Sequence, residues 1–593
     1  MRKANWLVMF LIAVAVAVPA SAVELSLGGF PSYMSTEARY LENATYRSAS
    51  DQDDAIFFVD TTLRVTPQLA LSEAVTIRAQ VDIMNNNIWG GYTDELLGGA
   101  STLVNSSISP SDQFRGTILH GNATSDCLNF GNFCAVEEDA GFFNVRMVHA
   151  DVVLPNNLGF IRVGRQPFDW GLGILANGGW DPASDGGFLV DRFLWLKTFP
   201  TGGDATVTAI FVSDRITQGT GLQTGNGDGW DGGALAVVFN HANMAGVNVT
   251  VGGYIFPYIH QDAFIGGFGN LDRYTLYSGL VDLKSDSWKF TGEVQGGFGE
   301  ITNISGTTDS SIKNAIIWAV RAEYLAPTLE YLNVVGAEFG WADGDTNNDA
   351  SWTTGEDIEG GVIVFNPAYN LDNLLFKHVM PSIYQDAHSN ILAKADASVQ
   401  NAYYARLYAD IPVTERVSFR PQVVVGWNNE TEGLMRDGRC GTFRWDGCQV
   451  GITPNTTNQN NVVGATLGDP NSGGTGNRTV TATQPKQEAS AYLGTEIEGN
   501  VKVNIYPGVD FNITGSVIVA GEGLTDLLEA QAFAVNNVVV DTDTDAAGVQ
   551  HRSFATADDI NAAVGGQSAE DIIWGVQTSL NIYIDEFFKS DDI

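Results

Sequence analysis

After residue 50, apolar and polar side chains alternate one by one over long stretches. Val75, Ile77, Ala79, Val81 and Ile83 are separated by Thr76, Arg78, Gln80 and Asp82. Successive side chains of a β-strand point to opposite faces, so this segment has one greasy face and one charged face. Phe57, Val59, Leu63 and Val65 repeat the pattern against Asp60, Thr62, Arg64 and Thr66, with a turn expected over 67–73. Strands are expected over 403–411 and 417–427 around a turn at 412–415, and over 493–505 and 509–519 around Tyr506, Pro507 and Gly508. A last strand is expected over 572–584, and Val23, Leu25 and Leu27 are placed in the first.

Strand length changes the picture. These segments run to ~10–14 residues, whereas strands of soluble proteins are usually ~5–6 and a tilted strand needs ~9–11 to cross a bilayer. The connections alternate between short (67–73, 155–157, 285–287, 412–415, 506–508) and long (near 87–140, 342–400, 429–490, 521–570). The fold class expected is therefore all-β: a closed antiparallel transmembrane β-barrel of about 18 strands, with 16 as the alternative, short periplasmic turns and long extracellular loops. One long connection, within 365–400, is expected to fold inward and narrow the pore.

Composition agrees. The chain has 593 residues, 44% hydrophobic and 17% charged, with 69 acids against 31 bases. The apolar fraction excludes a disordered chain, and the acidic balance argues against a nucleic-acid partner, which would need a basic face. Arg2 and Lys3 precede an apolar run from Trp6 to Val18, then Pro19 and Ala20, Ser21, Ala22. This reads as a signal peptide over 1–22, leaving 23–593 as a single barrel domain exported by a Sec-type route to the outer membrane. No later stretch is long and apolar enough to cross a membrane as a helix.

Candidate chemistry follows from parity. Arg64, Arg78, Asp82, Arg162, Arg165, Glu293, Arg406, Asp410, Arg420, Glu496 and Glu498 are assigned to the pore lining, where charge at a constriction sets ion preference. Cys127 with Cys134, and Cys440 with Cys448, fit two local disulfides in long loops, with four unrelated thiols as the alternative. Asp343, Asp345, Asn347 and Asp349 alternate oxygen ligands as a calcium loop begins, but lack the later Gly and Glu; Asp541, Asp543 and Asp545 are similar. No cofactor is expected beyond weakly bound Ca²⁺ in such acidic loops. Trp170, Trp195, Trp288, Trp318, Trp427 and Trp574 are placed near strand ends, where aromatic rings collect at membrane interfaces. No H-E-x-x-H, C-x-x-C-H, phosphate-loop or G-x-S-x-G motif occurs, so no enzyme is expected.

The stretch from Ile161 to Gly173 (IRVGRQPFDWGLG) carries a resemblance. Its strand end and the following WGLG resemble porin-like outer-membrane barrels of Gram-negative bacteria, including the alginate-export group. Ile174–Asp181 with Asp191 and Arg192 is similar to delta-proteobacterial members, and Phe365–Asn370, Leu374–Phe376 and Leu493–Glu498 resemble further segments. Such barrels often end on an aromatic residue, whereas here Lys589–Ile593 follow Phe588. The resemblance implies passive movement of ions and small hydrophilic solutes through the outer membrane. Gly164, Arg165, Gln166 and the loop near Asp181 are assigned to the mouth or constriction. Alternatives are the barrel sheath of a porin–cytochrome electron conduit and a dedicated polysaccharide or substrate-specific export channel. Partners expected are outer-membrane lipid, lipopolysaccharide and the solutes, and a homo-oligomer is compatible.

Overall fold

The computed structural model describes residues 24–27, 30–43, 55–88, 144–182, 184, 188–215, 230–261, 269–303, 310–326, 329–344, 363–366, 368–380, 398–431, 452–453, 465–467, 478–480, 489–527, 539–544, 550–554 and 572–588. Eighteen strands form one ring: β1 (Tyr33–Glu42), β2 (Ala55–Val65), β3 (Val75–Ile88), β4 (Asn144–Val153), β5 (Phe160–Pro167), β6 (Leu189–Gly202), β7 (Ala205–Arg215), β8 (Trp230–Met244), β9 (Val247–Gln261), β10 (Gly269–Lys284), β11 (Trp288–Asn303), β12 (Ser310–Leu325), β13 (Val334–Ala342), β14 (Ala402–Pro412), β15 (Val417–Asn428), β16 (Tyr492–Tyr506), β17 (Val509–Ala520) and β18 (Ile572–Tyr583). Each pairs antiparallel with its sequence neighbours, and β1 closes on β18 from Tyr33↔Tyr583 to Glu42↔Trp574. Strand directions alternate around an antiparallel ring, so only an even number can close without a mismatched seam. The 18-strand expectation holds.

The expected turn at 67–73 is corrected. Pro67–Ser72 continues β2 as a strand and pairs with Glu24–Leu27, from Glu24↔Ala70 to Leu27↔Pro67. The turn itself is only Glu73 and Ala74. Pro67 reads as turn chemistry, but Gln68–Ser72 pairs locally with Val75–Arg78 across that two-residue turn and, on its other edge, with Glu24–Leu27, a partner that local pattern cannot register. Val23 lies outside the described residues. Eight connections, the longest being 326–333, share one end of the barrel with both strand-bearing termini, and nine, most of them longer, share the other.

The distribution of polarity is inside out. Val163, Phe193, Leu235, Val251, Leu407, Ile497 and Val517 are exposed on the outer face. Glu37, Arg39, Asp60, Arg64, Asp82, Arg192 and Glu496 are buried on the inner one. Trp427 and Val417 have the same parity on β15, so the outer band between them is about 10 residues long, or roughly 25 Å high at a tilt of about 40°. Towards the end with the long connections, Trp318, Trp341, Tyr403, Trp427 and Tyr492 are consecutive register partners across β12 to β16. Tyr403 and Trp427 stack at 5.2 Å and 11°. At the opposite end Trp288 faces Tyr324, and Trp195 donates to the Leu158 carbonyl at 3.1 Å. Trp170 is the exception among the expected interface residues, since it lies in a segment inside the barrel.

Two inward tyrosines of β14 lie across glycines of β13. Tyr404 and Tyr408 are register partners of Gly340 and Gly336. A Cβ at Gly340 would sit 2.4 Å from the Tyr404 ring, so only glycine leaves room for a ring lying flat on the neighbouring strand. The Tyr404 hydroxyl then reaches Glu338 Oε1 at 2.7 Å. Gly340→Val is expected to displace this ring and destabilise the barrel by about 1–3 kcal/mol, as overpacking does. A lower temperature for loss of the fast-migrating folded band on gels would show it, while the conservative Tyr404→Phe should cost less.

Candidate functional site: the lumen constriction

A ring of 18 strands spaced about 4.8 Å apart and tilted by about 40° is roughly 35 Å across. Wall side chains cannot meet over that span, so the interior is filled by water or by inserted chain. The wall charges pair with neighbours along the wall. Arg64 Nε and Nη2 bind Asp82 Oδ1 and Oδ2 at 2.7 and 3.0 Å. Arg78 and Arg162 share Asp151, the latter at 2.6 and 3.1 Å. Arg406 Nη1 stands 3.7 Å from Glu338, Arg420 Nε is 3.0 Å from Asp410, and both guanidiniums cover the Tyr408 ring, at 4.7 and 4.6 Å. Glu498 accepts from Gln422 at 2.8 Å. Ten of the eleven residues assigned to the lining thus lie on the inner face.

Arg165 does not. It pairs bidentately with Asp191 at 2.8 and 3.0 Å. Its register partners are Val148 and Asp191, and it has the parity of exposed Val163. Arg165 therefore faces outward, and its neighbours Gly164 and Gln166 face the lumen. Several lumen groups are absent from the lining assigned from the sequence. Arg192 binds Asp214 at 2.6 and 2.5 Å, Arg321 binds Glu338 at 2.6 Å, and Glu37 sits beside Arg39. All of them lie on the polar parity of their strands, which was the available signal.

Two segments fold into the lumen. The first, 168–182, leaves β5. The carboxylate of Glu293, on β11, accepts the N–H groups of Leu172 and Gly173 at 2.6 and 3.0 Å, with Ile174 N at 3.5 Å. Gly171 (φ +57°) permits this approach, because a Cβ there would stand 2.5 Å from Glu293 Oε2. Trp170 meets Tyr254 edge-on at 5.0 Å, and Phe168 lies under the Arg192 guanidinium at 4.2 Å. At the far side the carbonyls of Gly178 and Gly179 accept from Arg146 and Arg64, at 2.6 and 3.1 Å. Trp180 stacks on Phe30 at 4.5 Å.

The second segment, 363–380, follows β13 and falls within the connection expected to fold inward. Glu496, on β16, accepts the N–H groups of Asn373, Leu374 and Leu375 at 3.3, 3.1 and 2.8 Å. A single π-helical turn, Leu375–Val379, follows, and Asp372 accepts from Phe376 and Lys377 at its start. Phe365, Leu374 and Phe376 are buried. The Tyr369 hydroxyl donates to Glu338 Oε1 at 2.5 Å. The two segments touch: Asn366 donates its N–H to the Ile174 carbonyl at 2.7 Å and Nδ2 to the Leu175 carbonyl at 2.8 Å, and Asn177 Nδ2 donates to the Ala368 carbonyl at 3.2 Å.

Of the acidic-loop candidates Asp343, Asp541 and Asp543 are described: Asp343 accepts from Gly344 N–H at 3.1 Å and Asn429 Nδ2 at 3.4 Å, whereas Asp541 and Asp543 lie in a short strand, Val539–Thr544, paired with Gln550–Phe554. Asp345, Asn347 and Asp349, and the four cysteines Cys127, Cys134, Cys440 and Cys448, lie outside the described residues. Among the described residues no group of three or more His, Cys, Asp or Glu is placed to hold a metal ion.

No family model matches the chain, and no curated protein matches it. Solved structures with a similar fold include the crystal structure of Pseudomonas aeruginosa OccK9 (OpdG), at 9% identity and a TM-score of 0.41 over 95% of this chain and 98% of that one. They also include a BenF-like porin from Pseudomonas fluorescens Pf-5, at 7% identity and 0.39 over 94% and 100%. Acinetobacter baumannii OccAB1 is similar at 11% identity and 0.37 over 94% and 99%.

Two outcomes follow from this geometry. Arg64→Ala leaves Asp82 buried without its partner and is expected to cost on the order of 3 kcal/mol, whereas Arg64→Leu with Asp82→Leu together should cost clearly less; urea unfolding in vesicles measures both. Asp372 supplies a pH dependence. Burial pushes its pKa up to about 7; the Phe376 N–H opposes the rise and the Glu498 carboxylate adds to it. The folded value lies above the unfolded one. The stability it contributes is therefore complete at low pH and lost as pH rises through about 7. Conductance should be larger at pH 8 than at pH 6, and Asp372→Asn should flatten that difference.

Proposed function

We propose that the chain is an outer-membrane channel passing ions and small hydrophilic solutes by passive diffusion. The observation that supports this best is the combination of a closed ring, an apolar exterior and a charged interior. A lipid-facing sheet can leave no edge unpaired, and a ring this wide whose inner wall carries charge holds water rather than a dry core. The inward segments narrow that water column without a globular plug.

Contact with outer-membrane lipid and lipopolysaccharide, and passage of small solutes, belong to the same reading. The finer resemblance to alginate-export-like barrels would ask for a lumen of uncommitted bases. Most of the described lumen bases have a carboxylate neighbour, which favours small solutes over an acidic polymer. The same pairing supports weak charge selectivity, since paired charges present little net field.

Reconstitution into a planar bilayer tests the reading. Discrete ohmic steps are expected, with a reversal potential close to zero in a tenfold salt gradient. Absence of any channel from folded protein would overturn the proposal. A reversal potential near the Nernst limit of either ion would overturn the weak-selectivity part alone.

A further inference from the structure

The two inward segments reach the wall by the same device. In each, consecutive backbone N–H groups converge on one wall carboxylate, Glu293 for Leu172 and Gly173 and Glu496 for Asn373, Leu374 and Leu375. These amides belong to irregular chain or, for Leu375, to the first residue of the π-helical turn, where no intrahelical acceptor is available, so a buried acceptor is needed to satisfy them. The carboxylates come from strands far away in the sequence and sit on different sides of the ring, on β11 and β16. Between these seats, Asn366 and Asn177 tie the segments to each other through backbone carbonyls.

We propose that the two segments narrow the lumen as one body, and that Glu293 and Glu496 are its positioning residues. Neither needs to touch a permeating solute. Each sets the width of the passage by holding the amides of an inserted segment against the wall. The hydrogen bonds from Asn366 to Ile174 and Leu175 join the two segments, so that loosening one seat loosens the other segment as well. A carboxyl group suits this role because its two oxygens carry enough lone pairs to accept two or three N–H groups at once. This inference rests on the channel reading above.

The test is single-channel conductance of the full-length protein in planar bilayers, together with the size of the largest polyethylene glycol that enters the pore. Glu293→Ala and Glu496→Ala are each expected to raise conductance at least about twofold and to admit larger polymers. Glu293→Gln and Glu496→Gln keep an acceptor oxygen and should fall between the alanine variants and the parent. The double alanine variant should exceed the larger single effect only slightly, because both seats hold one body. Asn366→Ala leaves the wall intact and should raise conductance on its own, which keeps the test open if a glutamate variant fails to insert. Unchanged conductance and polymer limit in folded alanine variants would overturn the positioning role. Fully additive effects in the double variant would overturn the single-body arrangement. A parent protein that forms no channel would instead remove the channel reading itself.

Discussion

A strand that faces acyl chains has no water to accept an unpaired N–H or donate to an unpaired C=O, and each such group costs several kcal/mol. That constraint is met here by the β1–β18 ladder, which pairs Tyr33 through Glu42 with Tyr583 through Trp574. Without it the sheet would present two long edges to lipid. The ring explains the alternation of side chains along each strand, because one face is committed to lipid and the other to the lumen. It also puts the short connections and both strand-bearing termini at one end, since the number of strands is even.

Closure at this size creates a second problem. The interior is too wide for wall side chains to fill, so its charges are arranged along the wall instead of across it: Arg64 with Asp82, Arg162 with Asp151, Arg192 with Asp214. Chain that enters such a lumen leaves the ladder and loses its regular partners. The inserted segments solve this with wall side chains, carboxylates for N–H groups at Glu293 and Glu496, guanidiniums for carbonyls at Arg64 and Arg146. Wall charge therefore serves the backbone of the insert as much as the solvent.

Much of this was legible in the sequence because period-two alternation is a local signal. The expected hairpin at 493–519 is found as Tyr492–Tyr506 and Val509–Ala520, and the expected long connections end within a few residues of the observed strands. What escaped was non-local. Pro67–Ser72 pairs with Val75–Arg78 on one edge and with Glu24–Leu27 on the other, and the second partner has no local signal. Trp170 resembles an interface residue in the linear pattern, yet it packs on Tyr254, and its segment is seated by Glu293 more than 100 residues away. Parity alone could have flagged Arg192, Asp214 and Glu338, which share the faces of the residues that were chosen.

Arg165 shows where parity and chemistry disagree, and the disagreement carries information. It is charged, yet it and Asp191 lie on the outward face. An arginine facing lipid costs about 2–4 kcal/mol at the bilayer midplane and about 0–1 near the interface. The pair is therefore tolerable only if the headgroup level reaches it, which requires the wall to be low at this sector. It is low: β5 has 8 residues, a rise of roughly 20 Å at a tilt of about 40°. By comparison, β10, β11 and β12 have 16 residues each. Pro167, which lacks an N–H, ends the strand there, and the chain turns into the lumen at Phe168. The low wall, the outward ion pair and the entry of the first inserted segment are thus one local feature: the strand stops early, its last charged residue meets the headgroup region, and the residues that would have extended the wall narrow the passage instead.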